Sequence, residues 1–200
     1  MKRVPLPDDL VAEARAMHET DARGYHSWSH PLDMLEASQP IRALLHDRLA
    51  IMAAIILHDI VYDPRRADNE ERSALFAERR LADVVPEITV QRTARMIRAT
   101  AKHKPHEGLS DEDLSDTSHF LDLDLAVLGA DQMKFERYEA GVRHEYRHVE
   151  WSAYARGRAA ILEAFLERPH IYFTDWGRST FEARARRNLM QSIGRLRQSV

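Results

Sequence analysis

The chain has 200 residues, 44% of them hydrophobic and 30% charged, enough apolar material to bury a core without covalent staples and consistent with one domain over residues 1–200. It contains no cysteine, which excludes disulfides, thiolate zinc sites and thiol nucleophiles and leaves metal or acid–base chemistry to His, Asp and Glu. A formal net charge of −3 gives no general attraction to nucleic acid or anionic membranes, while eleven histidines stand out.

The start, Met1 to Asp9, carries a basic pair with no apolar stretch behind it, so no secretory signal is expected. The longest apolar run, Leu49 to Leu57, is far short of the ~20 residues that a bilayer needs, and the expectation is a cytoplasmic protein with no membrane partner. Seven glycines and eight prolines punctuate Ala/Leu/Arg/Glu-rich stretches whose apolar residues recur at three- and four-residue spacing, predicting an all-α fold of eight or nine helices. The first helix is predicted from Asp8 to about Thr20. Pro31 suits the first turn of a second, capped by Ser29 or His30. Residues from Asp47 to about Tyr62 form the most apolar helix, stopping before Pro64. Asp68 and Glu71 resemble a capping box that opens a helix through Ala74, Ala77 and Leu81. Further helices are predicted after Pro86, from about Ser115 to Leu128, from Asp131 through Tyr146, from about Ser152 to Arg168 and from about Ser179 to Leu196. No repeat or linker divides the chain.

The most informative segment is Ala-Ile-Ile-Leu-His-Asp-Ile-Val-Tyr-Asp, residues 54 to 63, because His58 and Asp59 interrupt a helix that otherwise reads as core. Asp59 falls near the C-terminal end of that helix, where the macrodipole disfavours a negative charge, so a nearby cation is expected, and a metal ion is the economical one. Upstream, Tyr25-His26-Ser27-Trp28-Ser29-His30 places two histidines four residues apart where a loop enters a helix. Downstream, Asp122 and Asp124 lie in the apolar segment 120–125; residues two apart are ~200° around a helix, so the two cannot share a face.

The order His30, His58-Asp59, Asp124 resembles the HD-domain phosphohydrolase superfamily, whose motif is a His, a His-Asp pair and a distal Asp on separate helices. The chain is similar, through YHSWSH, LHDIVYDP, the NEERSA segment at 69 to 74 and FLDLDLAVLGA at 120 to 130, to small bacterial proteins described as predicted metal-dependent HD phosphohydrolases. That resemblance implies an HD-type helical bundle holding a divalent metal on His30, His58, Asp59 and Asp124, and it favours Asp124 over Asp122. Two imidazoles and two carboxylates suit Mn first, with Fe, Co, Ni or Zn as alternatives and Mg less well. The expected reaction is hydrolysis of a phosphate ester or anhydride, a nucleotide or related small metabolite, by metal-activated water, with Asp59 also able to orient or deprotonate that water.

HD enzymes that cleave an alarmone pyrophosphate carry Glu-Asp just after the His-Asp pair; here Tyr62-Asp63 stand there, so Asp63 is a candidate acid or base and equally a turn residue before Pro64. Substrate-binding candidates are His26, Glu70, His103, which would share a helix face with Ile97 and Thr100, and Arg143, whose guanidinium fork suits phosphate but also a solvated ion pair. His106 and His119 read as surface residues, and Arg184, Arg186 and Arg187 as a basic helix face, not a nucleic-acid site. The expected partner is a small phosphorylated substrate, with a homo-oligomer left open. The competing classes are an HD-type di-iron oxygenase, which His103 keeps in view, and a non-catalytic nucleotide or metal sensor.

Overall fold

Residues 48–57 set the architecture. Every side chain from Ala50 to Leu57 except Met52 is buried, so this helix is apolar nearly all round and must be enclosed by others. In the computed structural model, which describes residues 6–198, it is α3 (Arg48–Leu57), enclosed by α1 (Asp8–His18), α2 (Ser29–Ala37), α4 (Asn69–Leu81), α5 (Glu87–Thr100) and α6 (Asp111–Asp124). The basic pair Lys2-Arg3 lies outside the described residues. A 3-10 turn, Leu125–Gly129, leads from α6 to α7 (Gln132–Glu145) and α8 (Trp151–Leu166). The last helix, α9, spans residues 175–198: Asp175–Gly177 passes through a π-helical turn, Arg178–Glu182, into Ala183–Gln198, and packs on α8 and the 3-10 turn. Among the described residues these are nine helices and no strand, and no helix is long and apolar enough to cross a membrane.

Two apolar clusters result. The first gathers buried side chains from Leu6 through Leu123; the second begins at Leu125 and includes Phe135, Leu162, Tyr172 and Leu189. Asp124 sits on the seam between them.

Several local expectations are corrected. The apolar helix ends at Leu57, five residues before Tyr62, with His58 as its C-cap. It can stop there because Arg23 donates to the carbonyls of Asp59 and Ile60 (2.6 and 3.0 Å), and Ser73 Oγ donates to Val61 O (3.2 Å), replacing helical partners. Asp68 does not cap α4: its carboxylate takes Arg66 (2.7 and 2.6 Å), and Glu71 takes Arg98 (2.7 and 2.8 Å), stronger charge-assisted partners than a backbone N–H. Neither Ser29 nor His30 caps α2. Helix α6 begins at Asp111, earlier than Ser115, because Ser110 accepts from Asp113 N and three acidic residues suit the positive helix start. His119 is buried, with Nδ1 bonded to Ser115 O at 2.8 Å. Arg184 and Arg186 clasp backbone carbonyls, Arg184 that of Gly129 and Arg186 those of Leu166, Arg168 and Pro169.

His18, the last residue of α1, is fully buried edge-on to Trp28, donates from Nδ1 to Ala14 O (2.8 Å) and has no hydrogen-bond partner at Nε2. Burial pushes its pKa down to about 4. The unfolded chain therefore takes up this proton first on acidification. Stability from this group is complete above pH 6.5 and is lost as the pH falls toward 4, by roughly 3 kcal/mol at most. Denaturant unfolding at pH 7 and 4.5 should show a smaller acid penalty in His18→Phe, which keeps a ring against Trp28; equal penalties would contradict the assignment.

Candidate metal centre

Three helix ends meet at the seam. His30 is the second residue of α2, His58 follows the last residue of α3, and Asp124 ends α6. One atom from each of these three lies within 4.8 Å of the other two. His30 Nε2 is 3.1 Å from His58 Nε2 and 3.1 Å from Asp124 Oδ1, with His58 Nε2 to Asp124 Oδ1 at 3.6 Å. Asp59 approaches with Oδ2, 2.9 Å from His58 Nε2 and 3.9 Å from His30 Nε2. Asp124 presents its other oxygen, Oδ2, to His103 Nε2 at 3.3 Å.

The donor chemistry fits a divalent cation. His58 Nδ1 lies 3.1 Å from Ile55 O, a contact that in the neutral ring places the lone pair on Nε2, and His30 Nδ1 is held by the Tyr25 hydroxyl at 2.9 Å. Metal-binding imidazoles are typically fixed through the opposite ring nitrogen in this way.

A second buried carboxylate organises the loop before α2. Glu145 Oε1 accepts from the backbone N–H of Gly24, Tyr25 and His26 (2.9, 2.8 and 2.9 Å), and Oε2 accepts from His26 Nδ1 and the Tyr62 hydroxyl (both 2.8 Å). His26 stacks on Tyr62, ring centroids 4.2 Å apart. The loop can reach Glu145 only because Gly24 and Gly141 touch backbone to backbone: a Cβ on Gly24 would lie 2.3 Å from Gly141 O, and one on Gly141 2.9 Å from Gly24 C. Gly141→Ala should therefore cost ~1–3 kcal/mol by forcing loop and helix apart, despite alanine's better helix propensity. Urea unfolding checks it; a stabilised variant would show that the contact yields freely.

Burial works against charge at these groups, and their neighbours decide the outcome. It would raise the Asp59 carboxyl, but the imidazoles of His58, His26 and His30 hold it well below the usual range. Asp124 is likewise held down against burial by hydrogen bonds from His103, His30 and His58. Burial lowers His30, whereas His58 is raised because Asp59 and Asp124 outweigh burial. Asp59 and Glu145 likewise raise His26 against burial.

His58, Asp59, His103 and Asp124 line a cavity of about 480 Å³, and His26 and Glu70 line it too. His103 is not on the face of α5: the helix ends at Thr100, and His103 lies beyond it at φ 42°, a left-handed conformation unusual outside glycine, with its carbonyl held by Arg168 Nη1 at 3.1 Å. Asp63 does not line the cavity. It forms a turn, accepting from Arg65 N (3.0 Å) and tied to Asn69 at both backbone groups. Arg143 is also elsewhere, donating to the carbonyls of Tyr146 and Val149 (3.1 and 3.0 Å) over the Trp151 and Tyr154 rings. Asp122 faces away from the cluster, accepting from Phe173 N, Thr174 N and Thr174 Oγ1 (2.7, 2.9 and 2.6 Å). Sequence reasoning missed Arg23, Tyr62 as a hydroxyl donor, and Glu145. Glu145 carried a signal, an acidic residue ending a helix where the dipole opposes it.

No protein-family model, curated protein or solved structure matches the chain.

Proposed function

We propose that the protein is a metal-dependent phosphohydrolase of the HD-domain type, acting on phosphate esters or anhydrides. The observation supporting this reading is the convergence of His30, His58 and Asp124, with Asp59 beside them, at a cavity whose wall His58, Asp59 and Asp124 line. His30, His58 and Asp124 would hold a divalent ion, manganese by preference, and Asp59 would complete the set. When bound, such an ion lowers the pKa of water and polarises a phosphoryl oxygen. Asp59, kept ionised by its imidazole neighbours, would orient that water or take its proton. His26 is fixed through Nδ1 on Glu145, leaving Nε2 available to a phosphoryl oxygen, and His103 stands on the other side of Asp124. Glu145 is a positioning residue, acting through His26.

The test is phosphate release from generic phosphate esters with added manganese, by the wild type and Asp59→Asn. The expected result is chelator-sensitive turnover that falls at least ~100-fold in the variant. No turnover by the metal-loaded wild type would reject the reading. A di-iron oxygenase draws on one observation, the two oxygens of Asp124 turned to separate imidazole sets. A pair of irons per chain together with oxygen uptake would put it first.

A further inference from the structure

Away from the metal cluster the cavity changes character. Its wall there is formed by Val127, Val142, Val149, Tyr154, Ile161 and Phe165, and Phe165 meets His103 edge-on at 5.7 Å, so the apolar surface starts where the polar cluster ends. Ile161 is 53% exposed, an apolar side chain left at the opening.

Several polar groups of the cavity are already committed. The Tyr25 hydroxyl holds His30 Nδ1 at 2.9 Å, the Tyr62 hydroxyl donates to Glu145 at 2.8 Å, and the Tyr138 hydroxyl accepts from Arg158 at 2.5 Å, which leaves their rings to a ligand. Asn69 uses both ends of its amide on the backbone of Asp63, and the Thr100 hydroxyl donates to Ile97 O. Neither remains to read the edge of a nucleobase. The lining guanidiniums are paired as well, Arg66 with Asp68 and Arg158 with Glu139, each at 2.6 Å, whereas Asp59, Glu70 and Asp124 add negative charge. A polyphosphate would bring several more negative charges to a wall whose two lining guanidiniums already carry carboxylate partners. One phosphoryl group at the metal, followed by an uncharged body, meets no such penalty, and an apolar body gains from burial.

Resting on the reading above that a phosphoryl group sits at the His30, His58 and Asp124 cluster, we propose that the substrate is a phosphate monoester of an uncharged apolar alcohol, not a nucleoside polyphosphate, with its body along the α7–α8 wall. Gly157 offers a direct probe. It lies on α8 in the cavity wall, and a Cβ built there meets no atom within 4 Å, so a larger residue fits the helix and occupies ligand space.

The experiment measures binding of non-hydrolysable ethylphosphonate, octylphosphonate and adenosine methylenediphosphonate to the manganese-loaded chain, with the octyl compound below its micellar concentration. Each buried methylene is worth about fourfold in affinity, so octylphosphonate should bind at least ~10-fold more tightly than ethylphosphonate with only about two of its added methylenes inside. It should also bind more tightly than the nucleotide analogue. Gly157→Leu, with helicity checked by circular dichroism, should bring the octyl-to-ethyl ratio to within about twofold of unity. An equal affinity for the two alkylphosphonates, tighter binding of the nucleotide analogue, or a ratio unchanged in Gly157→Leu would overturn the proposal. Turnover of octyl and ethyl phosphate separates the two readings. Chain-length-dependent binding without hydrolysis removes the phosphohydrolase and keeps the ligand class; hydrolysis with no chain-length preference in binding does the reverse.

Discussion

Asp124→Ala is expected to lose metal affinity by more than ~100-fold while the helices remain, and Asp122→Ala, two residues earlier, to lose stability instead. Asp124 touches three imidazoles, with Oδ1 toward His30 and His58 and Oδ2 toward His103, so its removal would take a proposed ligand from the cluster and leave those rings without their shared anion. Asp122 is fully buried and accepts three hydrogen bonds from Phe173 and Thr174, holding the segment that precedes α9. Truncating it strands the donors of that segment, and with ~1–3 kcal/mol for each unsatisfied buried group the loss should reach ~3–5 kcal/mol. Equilibrium dialysis with manganese and urea unfolding on both variants read the two effects apart. The opposite pattern would move the ligand role to Asp122. Metal affinity should also rise with pH, because the proton that Asp59 and Asp124 stabilise on His58 must leave before Nε2 can bind a cation.

Glu145→Ala should be among the most damaging single changes, at about 4 kcal/mol, because one buried carboxylate serves five donors in residues 24–26 and Tyr62. Glu145→Gln should fall between, since an amide accepts on one side only and turns its NH2 toward groups that also donate. Tm and denaturant midpoints give the energies, and NMR titration of His26 gives the cause. His26 is raised above the ordinary histidine range against burial, by Asp59 first and by Glu145, and its pKa should drop in Glu145→Gln. An unchanged His26 titration would mean that the Glu145 contact contributes little to its charge.

Where a signal is local, the sequence was readable. Pro86 immediately precedes α5, and Asp131 caps α7 by accepting from Lys134 N at 2.9 Å. Where the deciding partner is distant, it was not. The sequence puts the end of α3 at about Tyr62, before Pro64, but Arg23, far upstream, takes the carbonyls that continuation of the helix would have used. The Asp68 and Glu71 box has the right spacing yet loses to Arg66 and Arg98, whose positions only the fold supplies. His58 and Asp59 leave a trace in the pattern as polar residues interrupting an apolar helix, whereas His30 and Asp124, which lie beside them in the fold, were singled out by the family resemblance. Arg143 shows the limit of composition: a guanidinium suits phosphate, but nothing in the sequence places Tyr146 O and Val149 O within its reach. The chemistry of the cavity's far wall was equally illegible, since it is assembled from the 3-10 turn, α7 and α8, none of which is lined throughout by one recognisable motif.

Asp124 lies on the seam where one apolar cluster ends at Leu123 and the other begins at Leu125. This position imposes an order of events on a chain emerging from synthesis. The segments bearing His30 and His58 are complete early, but Asp124 closes the set only once α6 is formed, and the loop beside His30 is clamped only when Glu145 has followed. An ion held by this set would therefore be acquired only after α6 has formed. Such an ion would act as a rivet joining α2, α3 and the end of α6, adding about 1.4 kcal/mol of resistance to unfolding for each tenfold excess over its dissociation constant.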